Sequence, residues 1–165
     1  MRNRIYRHLA RQAHSYLWLV VAMVAFGRHY AVTVNLSESL PGTLFLIQKG
    51  VHPAQGDLAA FLYNGGGPYP RGAWFVKQLV GSPGGTVSAV NAGDGLRDYY
   101  VNEKFVGRAK PLSRAGKPLI PGPAGIIPPH RYYMAAPHPD SLDSRYALVG
   151  WVSDDQIIGK AYRIY

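Results

Sequence analysis

The stretch Ala73-Trp74-Phe75-Val76-Lys77-Gln78-Leu79-Val80-Gly81-Ser82-Pro83-Gly84-Gly85-Thr86-Val87 decides how this chain is read. Its first eight residues are aromatic, aliphatic or β-branched with two polar interruptions, which is a strand pattern. Trp74, Val76, Gln78 and Val80 fall on one face of an extended chain; Phe75, Lys77 and Leu79 fall on the other. Ser82-Pro83-Gly84-Gly85 then forces a tight turn before the next strand. The turn resembles a phosphate loop only superficially, because no Gly-Lys-Ser/Thr closes it and no helix pattern follows. Lys77 stands between two large apolar neighbours. Burial there disfavours the ammonium and lowers the pKa, as required of a lysine that accepts a proton near neutrality. The competing reading is an edge-strand lysine whose stem packs while its head reaches water.

The same grammar extends over most of the 165 residues. Strand-like runs recur at 43–47, 57–63, 73–80, 86–90, 99–102, 104–108, 131–136, 147–152 and 157–165. Gly and Pro punctuate them, as in Asn64-Gly65-Gly66-Gly67-Pro68 and Pro121-Gly122-Pro123. Nineteen Gly and 13 Pro, with no helical periodicity after Val34, predict a mainly β fold of antiparallel sheets in a sandwich or barrel. The run 109–129 is Pro-rich and reads as a long surface excursion. A composition 47% hydrophobic and 16% charged excludes wholesale disorder. The absence of cysteine excludes disulfides, thiol catalysis and thiolate metal sites.

The N-terminus breaks the pattern. Residues 1–14 are basic without an acid, and 15–27 form an apolar or small-residue run. Arg28 and His29 interrupt it before the apolar 30–34. An arginine near a membrane boundary can snorkel, so 15–34 is predicted to be one signal-anchor transmembrane helix. The arginine-rich 1–14 would stay cytoplasmic and 35–165 would form an extracytoplasmic domain. A cleaved signal peptide ending near Ala25-Phe26-Gly27 and a buried core helix are the alternatives. The net charge of +9 is read mainly as this membrane signal, since no basic run marks a nucleic-acid surface.

Just past that segment, Asn35-Leu36-Ser37-Glu38-Ser39-Leu40-Pro41-Gly42-Thr43 sets two serines on one side of an extended chain, ahead of a Pro-Gly turn. Ser37 and Ser39 are both candidate nucleophiles at that bend. A third polar block, Pro137-His138-Pro139-Asp140-Ser141-Leu142-Asp143-Ser144-Arg145-Tyr146, alternates Ser141, Asp143 and Arg145. Its bland reading is a turn with a solvated ion pair; its functional reading has Ser141 orienting another group. A histidine triad is a rival, with His52, His130 or His138 oriented by Asp57 or Asp140. No histidine and carboxylate group has metal-ligand spacing, so neither a metal nor a cofactor is expected.

Ser39-Leu40-Pro41, the run from Lys77 to Gly84, and Pro139-x-Ser141-x-Asp143-Ser144-Arg145-Tyr146 together resemble the type I signal peptidase family. Gly56-Asp57, Val101-Asn102-Glu103 and Ile158-Gly159-Lys160-Ala161 match it too. The set covers nearly the whole chain after residue 35, and looks most like the conjugative-transfer peptidases of TraF type. The resemblance implies the signal-peptidase catalytic fold, with Ser39 as nucleophile and Lys77 as general base of a Ser–Lys dyad. It makes Ser37 an oxyanion donor, Ser141 a hydrogen-bonding partner of the lysine, and Asp143 with Arg145 a structural ion pair. Ala135-Ala136-Pro137-His138 replaces the usual Gly-Asp-Asn-Arg, Gln78 stands for Arg, and Gly85 for Asp. The implied protein is a serine endopeptidase of the bacterial inner membrane, with its catalytic domain on the periplasmic side. Its implied partners are lipid and a secreted or pilin-like precursor bound as an added β-strand, cleaved or cyclised, with no nucleic acid. A non-catalytic membrane-anchored β-domain and a Ser–Lys self-cleaving regulator are the rival functions.

Overall fold

The two-residue alternation becomes eleven strands among the residues described by the computed structural model, 2–35 and 38–165. In chain order these are α1 (Arg2–His29), β1 (Tyr30–Val34), β2 (Leu44–Lys49), β3 (Leu58–Leu62), β4 (Trp74–Gly81), β5 (Thr86–Asn91), β6 (Arg97–Val101), β7 (Lys104–Ala109), β8 (Gly125–Ile126), β9 (Arg131–Ala135), β10 (Val152–Ser153) and β11 (Ile157–Arg163). A seven-stranded sheet has the order β1-β2-β11-β3-β4-β9-β10, and a four-stranded sheet the order β7-β6-β5-β8. Neighbours pair antiparallel throughout. β4 lies inside the larger sheet, between β3 and β9, so the edge-strand reading of Lys77 does not hold.

Alternation decides which faces are buried. Ala59, Phe61, Leu79, Met134 and Val152 build one core of the large sheet; Ile47, Ala60 and Ala161 belong to another cluster. The small sheet buries Val87, Tyr99 and Val101 against Ile127, Tyr133 and Tyr146. Asn102 and Glu103 both take positive φ, 47° and 67°, in the two-residue turn between β6 and β7. That matches the twist of the flanking strands.

Three expectations are corrected. The predicted helix over 15–34 stops at His29, and 30–34 is β1, paired residue for residue with β2 from Tyr30↔Gln48 to Val34↔Leu44. Val32-Thr33-Val34 is β-branched, and sheet pairing satisfies its backbone where a helix would crowd those side chains. The first half of α1 is arginine- and histidine-rich, and no helix among the described residues is long and apolar enough to cross a membrane. The run 147–152 coils into a turn, with the Val149 and Gly150 amides on the Tyr146 carbonyl, and only Val152–Ser153 is strand. Finally, 109–129 is more than a surface excursion: Ala109 and Ile127 are core residues, and it contains β8.

Candidate active site

Lys77 occupies the middle of β4 directly opposite Ala59, whose small side chain leaves room for the lysine stem. Its residue is only 5% exposed, between half-buried Phe75 and buried Leu79 on the same face. The ammonium donates to Ser141 Oγ at 2.9 Å and stands 5.7 Å from the centre of the Phe75 ring. Burial lowers its pKa from the ordinary 10.5 to about 8, with the Asp143 carboxylate pulling it back up and the Arg145 guanidinium pushing it down. Those two charges are paired with each other, so their fields largely offset and desolvation decides the direction.

The segment that delivers Ser141 is a series of turns around a buried ion pair, so the solvated-pair reading of the sequence is not what forms. Asp143 and Arg145 are 0% and 1% exposed. The guanidinium grips the carboxylate through Nε and Nη2, both at 2.8 Å. Asp143 also accepts the amides of Ala136 and Arg145. Arg145 spends its remaining donors on the carbonyls of Arg108, His138 and, at longer range, Ala136 and Ser141. A buried pair is tolerated when such bonds satisfy the leftover donors and lone pairs. Gly107 makes the seat: a Cβ there would stand 2.3 Å from Arg145 Nη1. Ser144 Oγ accepts the Met134 amide and so stitches the same turn to β9.

Ser39 is 6% exposed in the loop between β1 and β2. The Asn35 amide bonds the Thr43 carbonyl, and the Asn35 side chain donates to the carbonyls of Leu40 and Gly42. The chain end buttresses the far side, where the Tyr165 carbonyl accepts from Thr43 and Leu44. Leu40 packs with Phe45 and Ala136 against Val76, the residue before Lys77. On the other flank Glu38 lies 3.7 Å from His138, three residues ahead of Ser141. The loop carrying Ser39 therefore converges on the same two segments that carry Lys77 and Ser141. Ser37, expected beside it, lies outside the described residues.

The arrangement pairs a buried hydroxyl loop with a desolvated lysine, the components of acyl transfer. A family model described as signal peptidase, peptidase S26, matches residues 7–165. The chain belongs to the signal peptidase family. None of the curated proteins compared with it matches. Membership makes it a serine peptidase of signal-peptidase type, on a mainly β antiparallel fold consistent with that family.

The histidines of this signal peptidase relative are arranged differently from the triad considered in the sequence. His52 and His130 both address Asp154, at 3.3 and 2.7 Å, on an exposed corner. Asp57 pairs with Lys160, and Asp140 with Lys110 and Arg114. No group of three or more His, Asp or Glu suited to a metal occurs among the described residues. Sequence reading missed Asn35 and Glu38. Asn35 carries the familiar signal of an Asn beside a turn, whereas nothing local links Glu38 to His138, a hundred positions away.

Proposed function

We propose that this protein is a membrane-held serine endopeptidase that cleaves secreted or pilin-like precursors through a Ser39/Lys77 dyad. The observation that carries this reading is the buried Lys77 amine, poised at about 8 and hydrogen-bonded to Ser141. Neutral Lys77 Nζ takes the proton from Ser39 Oγ as that oxygen attacks the scissile carbonyl. The amine leaving group then takes a proton from the lysine, leaving an acyl-enzyme. The Ser39 amide and the Ser37 hydroxyl are the assigned oxyanion donors; losing one such donor typically costs about 3–4 kcal/mol of barrier lowering. Water releases the acid, whereas a substrate amine would close a ring, the outcome expected of a conjugative-transfer enzyme. Substrate lies along the Ser39 segment as an added strand.

The same reading holds the protein at the bacterial inner membrane, with the β domain on the periplasmic side. Leu17, Trp18, Met23 and Val24 support it, since they stand on α1 with more than half of their surface uncovered. Large exposed apolar surface normally marks an interaction site. Full-length protein should float with lipid vesicles, and Ser39→Ala should abolish precursor cleavage and the acyl adduct seen by mass spectrometry. Cleavage that survives in Ser39→Ala would remove the proposed nucleophile.

A further inference from the structure

The Pro-rich run that joins β7 to β9 reaches back to both halves of the site. Residues 111–119 form a narrow hairpin, closed by the Leu119 amide on the Pro111 carbonyl and the Ser113 amide on the Lys117 carbonyl. Its base is fixed to the turn that holds the buried ion pair. The Lys110 amide bonds Tyr146 Oη, Ala147 bonds the Ile120 carbonyl, and Gly122 bonds the Arg145 carbonyl. Gly122 presses so close that a Cβ would stand 2.1 Å from the Ser144 carbonyl oxygen. A hairpin anchored this way has a defined tip, and Arg114 is on it.

Arg114 donates to Asp140 Oδ2 at 2.7 Å, and Lys110 to Asp140 Oδ1 at 2.5 Å. Asp140 immediately precedes Ser141, the partner of Lys77. The Asp140 amide also donates to His138 Nδ1 at 3.1 Å, while Nε2 of the same ring faces Glu38 at 3.7 Å. Arg114 lies 3.8 Å from the same Glu38 carboxylate, next to Ser39. One arginine thus contacts the neighbours of both Ser141 and Ser39. His138 stands within the block where the chain departs from the usual family pattern.

We propose that Asp140, clamped by Lys110 and Arg114, is a positioning residue that holds the Ser141–Lys77 and Ser39 segments in register. The proposal rests on the peptidase reading above. Freed of the clamp, the turn carrying Ser141 gains freedom, and misplacement of a catalytic group by about 1 Å costs up to about a hundredfold in rate. Each exposed ion pair alone contributes little to folding, so the fold persists.

The test uses full-length protein in detergent with two readouts: steady-state cleavage of a precursor, and trace acetylation of Lys77 followed by mass spectrometry. Asp140→Asn and Arg114→Ala should each lower kcat about fivefold or more with KM nearly unchanged, and raise Lys77 acetylation. The double variant should be no worse than the poorer single one, and Arg114→Lys should recover part of the rate. Unchanged kcat and acetylation in both single variants, or fully additive losses in the double, would overturn the clamp. If no precursor is cleaved by the wild type, the peptidase reading fails instead, and Lys77 acetylation still decides whether the clamp orders the site.

Discussion

Two lysines flank Ala59 in adjacent strands of one sheet, and the sheet treats them in opposite ways. Lys77 pairs with Ala59 from β4, and Lys160 from β11. Lys160 meets the Asp57 carboxylate at 2.8 Å with its side chain 28% exposed, and its hydrogen bond to that carboxylate raises its pKa. Lys77 meets a neutral hydroxyl under near-complete burial and falls to about 8. Residue type and strand position are shared; solvent and partner differ. The lesson is that a base is made by withholding a counter-ion, since a carboxylate at the Ser141 position would have kept Lys77 charged. The carboxylate that is near, Asp143, is already committed to Arg145.

The largest effect is expected at Lys77 itself. Lys77→Arg should reduce precursor cleavage below detection while the fold, followed by circular dichroism, persists, because a guanidinium stays protonated. Stability offers a second and smaller contrast. Lys77 is lowered in the folded state, so between about pH 8 and 10.5 the unfolded chain binds more protons and stability rises with pH. Below pH 8 both states carry the charge and the folded state bears its full desolvation cost. Urea titrations should show wild type gaining roughly 3 kcal/mol across that window relative to Lys77→Met, which lacks the titrating group. Equal pH slopes for the two proteins would mean that Lys77 is not desolvated. The mildest change is Asp57→Asn, which takes the counter-ion from the partly exposed Lys160. Its Tm should stay within about 2 °C of wild type and its cleavage rate should not change.

How much of this was legible in the sequence follows from where each signal sits. The flanks Phe75 and Leu79 already place Lys77 on an apolar face, because two-residue alternation is local. Asp143 and Arg145 are likewise close enough in sequence for their pairing to be foreseen. Their burial was not, because it depends on Gly107 making room and on carbonyls from Arg108 and Ala136. The apolar residues of β1 continue those of α1 in composition, so the sequence predicts a helix through Val34. Only the partner strand β2, ten residues on, reveals the pairing. The hydrogen bond between Lys77 and Ser141 spans 64 positions, and the Arg114 contact with Glu38 has no local pattern at all. Resemblance to a family supplied the first of these contacts; physical reading of the sequence alone supplied neither.

The pH dependence of kcat/KM for precursor cleavage by the full-length protein is the sharpest test of a lysine base, since it reports the essential groups of the free enzyme. With Lys77 as the base, the rate should climb through a midpoint near pH 8 and then level off as Lys77 loses its proton. A midpoint near about 6.5, the range of an imidazole, or a flat profile through pH 8, would contradict a lysine base.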